Sequence, residues 1–276
     1  MGLLAPERHG RILEKLRSSG AITVQGIASE LSVTRETVRR DLDQLEMIGS
    51  LQRVHGGAVP VPSSTRTETS WRLRHTENAE AKHAIARAAA DLLPATKSAS
   101  IIMDAGTTTE ALADLLAETG STPTGLNGSA PGAPQSLALI TNAMPIAQKL
   151  ADTSSVDVEI LGGTVRKLTG AVVGDSAIET LRHRHADIAF IGANGLDAVF
   201  GASTPDPDEA ALKSALIAAA EHVVLLIDGS KFDRRSLVKF AELHQFDTVI
   251  TNAEPPAQVT VALAKAGVTL IEAGMA

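Results

Sequence analysis

The sequence predicts an α/β protein in two parts: a small N-terminal helical domain that ends in a hairpin, and a larger domain with a mostly parallel sheet. Apolar residues recur at helical spacing through residues 6–47, and a short basic segment follows them. From residue 99 onward, short apolar strands alternate with helices, a pattern typical of parallel sheets that helices cover. Hydrophobic residues make up 44% of the chain and aromatic residues only 2%, so Ala, Val, Leu and Ile must form the core.

Two helices separated by a tight turn are predicted over residues 24–47, after a first helix over residues 6–19. Thr23 and Thr34 each precede one of the two helices, where a hydroxyl oxygen accepts a hydrogen bond from a first-turn amide. Apolar residues four and then three positions apart predict the buried face of the second helix: Val38, Leu42 and Leu45.

A hairpin and a set of basic residues complete this helix-turn-helix pattern. Gly49 is expected to end the second helix, and residues 51–59 to form a two-stranded wing with a tight turn at Gly56 and Gly57. A helix that bears arginines fits the major groove of DNA, where Arg donates two hydrogen bonds to guanine or neutralises a phosphate. A solvated charged face is the ordinary alternative, but the basic helix and the basic wing occur together here. The candidate DNA-binding residues are Arg35, Thr37, Arg39, Arg40, Arg53 and His55.

The charge of the chain is unevenly distributed. The formal net charge is -7, but residues 1–58 carry eight Lys and Arg against seven Asp and Glu. The rest of the chain holds 17 basic and 25 acidic residues, so most of the negative charge lies outside the predicted DNA-binding domain. Because phosphate neutralisation supplies most non-specific affinity for DNA, one weakly basic domain would bind loosely. We therefore expect a homo-dimer or tetramer that presents several such domains to repeated half-sites of double-stranded DNA.

The composition excludes several classes of site. The chain has no cysteine, which excludes disulfides, thiolate zinc sites and cysteine nucleophiles and fits a reducing compartment. Apolar runs are shorter than the roughly 20 residues of a membrane-spanning helix, and the N-terminus lacks the pattern of a signal peptide. We therefore expect a soluble, cytoplasmic protein with no cofactor, and the scattered histidines predict no metal site.

A linker is expected over residues 59–78, between a DNA-binding domain at residues 1–58 and an α/β domain at residues 79–276. The segment contains prolines and many Ser and Thr residues. Its Trp71 is expected to anchor on one of the two domains. Residues 119–135 are rich in Gly, Pro, Ser and Thr and carry no charge, which predicts a flexible surface loop.

The larger domain is predicted to begin with a helix over residues 79–93, and strands and helices then alternate. The strands are predicted at residues 99–103, 137–141, 156–161, 187–193, 222–227, 247–251 and 268–271, and the helices at residues 107–117, 143–151, 175–183, 207–220 and 256–266. Ligands of such sheets bind at the carboxyl ends of the strands, so the turns there are the places to look for a site.

Small polar residues follow nearly every one of these strands. Residues 104–109 lie between a strand and a helix, where glycine permits close approach and the first-turn amides of the helix attract an anion. The plain alternatives are that Thr107 or Thr108 only caps the helix, and that Lys213 is a solvated helical lysine. The candidate ligand-binding residues are Asp104, Gly106, Thr107, Thr108, Thr109, Thr141, Asn142, Gly162, Gly163, Asn194, Gly195, Lys213 and Lys231.

Two runs in the first domain, residues 32–42 and 53–58, resemble the signature of the DeoR family of bacterial transcription regulators. They read Ser-Val-Thr-Arg-Glu-Thr-Val-Arg-Arg-Asp-Leu and Arg-Val-His-Gly-Gly-Ala. The larger domain resembles the family's C-terminal sensor domain at residues 104–109, 141–143, 161–163, 174, 204–205, 209, 213 and 230–232. The resemblance covers residues 6 to 271. It implies a winged helix-turn-helix and an α/β domain related in fold to ribose-phosphate isomerase and CoA transferases. In the family, this α/β domain senses phosphorylated sugars or related metabolites.

Three residues depart from the usual pattern of the family. Gly26 lies in the first turn of the first motif helix, where a glycine costs up to about 1 kcal/mol relative to alanine. Asn194 stands where the family usually has Asp, which removes the most credible general base near a bound sugar. Asp206 stands where the family usually has Asn, and its charge would repel a phosphate if it pointed inward.

The resemblance implies a regulator that is not an enzyme, most simply a repressor of carbohydrate-metabolism genes. A phosphorylated sugar or related effector would bind the candidate ligand-binding residues and change the protein's grip on operator DNA. One alternative is a sugar-phosphate isomerase or transferase with an added DNA-binding domain, against which Asn194 and the absence of cysteine argue. A transcription activator is the other alternative, because the sign of regulation depends on where the operator lies.

Overall fold

The computed structural model describes residues 4–47, 50–54, 56–59, 71–94, 96, 98–119 and 136–274. The chain divides into two compact units, Met1–Arg74 and His75–Ala276. Gly49, His55 and residues 120–135 lie outside the described residues, as does the side chain of Trp71. In the described part of the chain, no helix is long and apolar enough to cross a membrane.

The N-terminal unit contains the three predicted helices and a small sheet. Its elements are, in order, α1 (Ala5–Ser19), β1 (Ile22–Thr23), α2 (Val24–Glu30), α3 (Arg35–Met47), β2 (Gln52–Val54) and β3 (Gly57–Val59). The predicted stripe of α3 is confirmed, since Val38, Leu42 and Leu45 are at most 1% exposed. These side chains form one hydrophobic core with residues of α1 and α2, among them Ile12 and Ile27.

Both predicted N-caps are confirmed. The hydroxyl oxygen of Thr23 accepts a hydrogen bond of 3.0 Å from the amide of Gly26, and that of Thr34 accepts one of 3.1 Å from the amide of Thr37. A Cβ built on Gly26 would lie 3.0 Å from the Thr23 hydroxyl oxygen. The glycine that departs from the family pattern therefore leaves room for the cap.

The wing has one strand more than predicted. Strands β2 and β3 form the expected antiparallel hairpin, and β1 pairs antiparallel with β3 on its other side. A Cβ built on Gly57 would overlap the carbonyl oxygen of Ile22. Glycine at this position is therefore required for the close approach of β1, and the left-handed backbone of the turn lies at Gly56.

The C-terminal unit begins at His75, within α4 (Trp71–Thr76), a short helix near the end of the segment predicted as a linker. Its elements are α5 (Ala79–Ala90), β4 (Ser98–Met103), α6 (Thr107–Thr119), β5 (Ser136–Thr141), α7 (Met144–Leu150), β6 (Val156–Ile160), β7 (Thr164–Val165), β8 (Val172–Val173), α8 (Asp175–Leu181), β9 (Ala186–Gly192), β10 (Gly195–Asp197), β11 (Gly201–Thr204), α9 (Pro207–Ala218), β12 (Ala220–Leu226), β13 (Val238–Ala241), β14 (Thr248–Thr251), α10 (Ala257–Lys265) and β15 (Thr269–Glu272).

A seven-stranded sheet organises this unit, in the order β15-β14-β12-β9-β4-β5-β6. Every neighbouring pair is parallel, which confirms the predicted sheet class. The chain starts in the middle at β4, builds outward to β6, and returns beside β4 with β9. The switch point of the topology therefore lies between β4 and β9, where ligands of open α/β sheets bind.

Helices and loops cover both faces of the sheet. Ile102 belongs to one hydrophobic cluster, and its neighbours Ile101 and Met103 belong to the other, as expected for side chains that alternate between the two faces. Two smaller sheets were not predicted: the hairpin of β7 and β8, and the sheet of β10, β11 and β13. Their strands are two to four residues long, too short for a clear alternating pattern.

Candidate functional site

Helix α3 presents three of the predicted DNA-binding arginines to solvent. Arg35, Arg39 and Arg40 are exposed, whereas Val38 of the same helix is fully buried. The guanidinium of Arg39 lies 3.5 Å from the carboxylate of Glu36, a pair between two largely exposed side chains that contributes little to stability. The hydroxyl of Thr37 lies 2.8 Å from that of Thr34, so this candidate also contributes to the helix cap.

A buried carboxylate that sequence reasoning missed holds α3 against α1. Asp41 is 3% exposed and accepts hydrogen bonds from both the Nε (2.6 Å) and the Nη2 (2.7 Å) of Arg8. The ring of His9 contacts the same carboxylate at 3.1 Å. Burial raises the pKa of Asp41, but the bonds from Arg8 and His9 outweigh it and lower this pKa below its ordinary value. The pair fixes the rotation of α3 and so the direction of its arginines.

The wing residue Arg53 binds within the unit. Its guanidinium pairs with the carboxylate of Asp43 and donates to the carbonyl of Arg39 at 3.3 Å, and its amide donates to Glu46 at 2.8 Å. Arg53 therefore fastens the wing to α3, a role that the sequence pattern did not indicate. His55 lies outside the described residues.

At the switch point of the large sheet, a buried ion pair joins the ends of two strands. Asp104 follows β4 and is 1% exposed; Lys213 of α9 is 4% exposed and donates to its carboxylate. The same ammonium donates to the carbonyl of Gly192 at 2.9 Å, and the amide of Gly192 donates to Asp104 at 3.1 Å. The ammonium also lies 5.4 Å from the ring centre of Phe240. The alternative of a solvated Lys213 is therefore wrong.

A second layer of polar side chains surrounds this pair. Thr169 donates to Glu209 at 2.7 Å, and Thr204 lies 3.5 Å from the other oxygen of that carboxylate. Thr204 also donates to Asn194 at 3.1 Å, which joins the candidate Asn194 to the cluster. Arg166 binds Glu209 from the loop between β7 and β8. Neither Arg166 nor Thr169 was among the predicted residues.

The two buried carboxylates differ in their tendency to ionise. Burial raises the pKa of Asp104 above its ordinary value, and the nearby Lys213 only partly offsets this effect. Burial also opposes ionisation of Glu209, but Lys213, Thr169 and Arg166 together outweigh it and lower the pKa of Glu209. Glu209 therefore ionises more readily than Asp104.

Several predicted ligand-binding residues hold the strand-end loops together. Thr109 donates to the carbonyls of Asp104 (2.7 Å) and Gly106 (2.8 Å), and Thr141 donates to the carbonyl of Met103 at 2.6 Å. Asn142 accepts from the amide of residue 105 at 2.9 Å and donates to the carbonyl of residue 172 at 3.2 Å. These buried side chains shape the loop that precedes α6. Thr108 is also buried, whereas Gly106 and Thr107 are partly exposed.

The remaining candidates lie in loops at or near the same edge. Gly162 and Gly163 are exposed, and a Cβ on Gly163 would crowd the carbonyl of residue 173. Gly195 is buried in β10, where a Cβ would overlap the carbonyl of residue 234. Lys231 follows β12 and is partly exposed, and no hydrogen bond or ion pair links its ammonium to the cluster in the described part of the chain.

The described residues contain no group of three His, Asp or Glu side chains that could hold a metal ion. The arrangement is one of paired charges and short hydroxyl contacts at a sheet edge. Such a site can bind a small polar ligand through several directed hydrogen bonds.

Comparison with known proteins identifies both units. The family described as the DeoR-like helix-turn-helix domain matches residues 8–64, and the DeoR C terminal sensor domain matches residues 77–253. The chain belongs to the DeoR family of transcriptional regulators. The expected family and the two-part fold class, a winged helix-turn-helix and an α/β sensor domain, are confirmed.

Full-length relatives agree with this assignment. The HTH-type transcriptional regulator GlpR of Haloferax volcanii is 34% identical over 270 residues, which cover 98% of each chain. The glycerol-3-phosphate regulon repressor of Escherichia coli K12 is 30% identical over 92% of this chain and 93% of its own. The HTH-type transcriptional repressor GlcR of Bacillus subtilis is 31% identical over 96% and 95%.

One solved structure similar to the DeoR-family chain is ribose 5 phosphate isomerase A from Neisseria gonorrhoeae. It is 14% identical, with a TM-score of 0.35 over 56% of this chain and 53% of its own. A likeness this distant carries no argument about function.

Proposed function

We propose that this protein is a repressor of carbohydrate-metabolism genes that binds operator DNA through α3. Its affinity for this DNA changes when a phosphorylated sugar or related metabolite binds the C-terminal unit. The observation that carries the proposal is the exposed row of Arg35, Arg39 and Arg40 on a helix whose other face is buried. Two relatives that match nearly the whole chain are named repressors, one of them of a glycerol-3-phosphate regulon.

The effector site is proposed at the switch point between β4 and β9, around Asp104 and Lys213. The loop before α6, with Gly106 and Thr107, supplies the amides that suit an anion. The proposed domains remain residues 1–58, the linker 59–78 and residues 79–276, with the cytoplasm as the compartment where operator DNA is met. A homo-dimer or tetramer is proposed because one weakly basic domain neutralises few phosphates.

An enzyme is the weaker proposal. The buried Asp104 and Lys213 bind each other, and Asn194 offers no carboxylate for proton abstraction. Turnover of pentose and hexose phosphates that is lost in Lys231→Ala would favour this alternative.

A mobility shift on the DNA upstream of the protein's own gene tests the main proposal. The full-length protein should retard this DNA, and one member of a panel of phosphorylated sugars should release it. The non-phosphorylated sugars are the matched controls and should have no effect. Failure to retard the DNA at low salt would contradict the proposal of an operator-binding repressor, and a complex that no compound alters would contradict the proposed effector class.

A further inference from the structure

Arg166 lies between two carboxylates at the N-terminus of α9, that of the N-cap residue Asp206 and that of Glu209 in the first turn. It pairs with Glu209 through Nη1, and its Nη2 lies 3.1 Å from the Oδ2 of Asp206. The Thr169 hydroxyl lies 3.5 Å from the same guanidinium. These contacts fasten the loop between β7 and β8 to α9, beside the buried pair of Asp104 and Lys213.

The charges of this cluster do not favour an anion as they stand. Asp104, Glu209 and Asp206 face Arg166 and Lys213, so the ionised cluster carries one excess negative charge. A phosphate or carboxylate that binds here therefore needs a cation whose ion pair with its carboxylate partner can break. Arg suits this role, because its planar guanidinium binds two oxygens of a phosphate at once.

Asp206 is the carboxylate whose ion pair with a cation of the cluster can break. Its side chain is 22% exposed, whereas that of Glu209 is 7% exposed and that of Asp104 is 1% exposed. The two oxygens of Asp206 have separate partners. Oδ1 accepts the amides of Asp208 and Glu209 at 3.0 Å each and caps α9, and Oδ2 pairs with Arg166. Loss of the pair with Arg166 therefore leaves the helix cap intact.

We propose that Arg166 binds the anionic group of the effector and that Asp206 competes with this group for the guanidinium, so that Asp206 sets how tightly anions bind. This inference rests on the proposed effector site. It assigns Arg166 as a ligand-binding residue and Asp206 as the residue that tunes its affinity.

One substitution separates the two roles of Asp206. Asp206→Asn keeps a cap oxygen, and Asn is as good an N-cap as Asp. The amide group that replaces Oδ2 cannot compete for Arg166, since it carries no negative charge. Asp208→Asn is the matched control, because it removes the same charge at an exposed position close to Asp206. In the described residues, Asp208 makes no ion pair with Arg166.

Calorimetric titration of the full-length protein with inorganic phosphate at low salt is the test. Asp206→Asn should bind phosphate about three- to tenfold more tightly than the wild type, the scale of one partly buried ion pair. Asp208→Asn should bind within about twofold of the wild type, and Arg166→Gln should lose the binding. Arg166→Lys, which keeps the charge but not the fork, should bind more weakly than the wild type and guards against a misfolded Gln variant.

Equal phosphate affinity in the wild type and Asp206→Asn would overturn the inference, as would an equal gain in Asp208→Asn. Phosphate binding that survives in Arg166→Gln would also overturn it, and so would the absence of phosphate binding in every variant. The mobility shift with phosphorylated sugars is read separately. A shift that a sugar phosphate releases, together with any of these results, would leave the proposed function standing and reject only the role of Arg166 and Asp206.

Discussion

Lys213 donates a hydrogen bond to Asp104 across 109 residues of sequence, at the point where the sheet order reverses. Both side chains are at least 95% buried. The pair ties α9 to the end of β4, and the Gly192 backbone completes its hydrogen bonds on the neighbouring strand. A change in this pair would therefore affect α9 and the two strands β4 and β9 at once.

Removal of one partner from this pair should destabilise the C-terminal unit strongly. Lys213→Met leaves the Asp104 carboxylate buried without its cation, and we expect a loss of about 3–5 kcal/mol in the free energy of unfolding. Urea unfolding followed by far-UV circular dichroism measures it. The double variant Asp104→Asn/Lys213→Met should recover part of the loss, because it leaves no buried charge. If Lys213→Met costs no more than Lys265→Met on the exposed face of α10, the pair has no such role.

The arginine face of α3 should govern operator affinity and not stability. Arg39→Ala should weaken operator binding by about 10- to 100-fold and lower the salt dependence of binding by about one unit of slope. The free energy of unfolding should change by less than about 0.5 kcal/mol, because the side chain is exposed. Fluorescence anisotropy with labelled operator measures both binding quantities. Arg182→Ala, an exposed arginine of the C-terminal unit, is the control and should bind as the wild type does; unchanged affinity in Arg39→Ala would count against the DNA-binding face.

The contact of Asp41 with Arg8 should make the stability of the N-terminal unit depend on pH. The folded pKa of Asp41 lies below its ordinary value of 3.8, so its contribution is complete above that value and is lost as the pH falls through the folded pKa. At pH 7, Asp41→Asn should lower the free energy of unfolding by about 2 kcal/mol. The difference between wild type and variant should shrink below pH 4.

Thermal unfolding of both proteins between pH 2.5 and 7 measures this difference. Glu14→Gln removes an exposed carboxylate of α1 and should show no such change with pH. A difference that stays constant down to the lowest pH would mean that the Asp41 charge does not contribute.

Two glycines of the N-terminal unit should respond to alanine in opposite directions. Gly57→Ala places a Cβ against the carbonyl of Ile22 and should detach β1 from the wing, with a loss of stability of about 2 kcal/mol or more. Gly10→Ala lies within α1, where a Cβ would meet no atom within 4 Å, and should raise stability by about 0.5–1 kcal/mol. Urea unfolding measures both. A Gly57→Ala protein as stable as the wild type would contradict the close approach of β1.

The sequence predicted the helices and the large sheet because their apolar patterns are long. It could not predict the hairpin of β7 and β8, whose strands have two residues each, and so gave no reason to place Arg166 in the site. The sequence around Lys213 does carry a signal of burial. Lys213 lies on the same helical stripe as Leu212 and Leu216, and a lysine among buried leucines needs a buried partner. The spacing of residues along the chain could not identify Asp104 as this partner, because only the folded sheet brings the two side chains together.

The contact of Arg53 with Asp43 is another pairing that spacing along the chain could not predict. The basic wing suggested DNA contact, but spacing along the chain did not reveal that an acidic face of α3 lies beside it. Short-range features such as the caps at Thr23 and Thr34 were predictable, because donor and acceptor lie within one helical turn.

The measurement that tests the central claim most directly is the affinity of the effector with and without bound operator. If the two sites are coupled, a phosphorylated sugar that weakens operator binding by some factor must itself bind the operator complex more weakly by the same factor. Anisotropy for the operator and calorimetry for the sugar phosphate give the two factors, which should agree. A sugar phosphate that binds equally well to the free protein and to the operator complex would contradict an effector-controlled repressor.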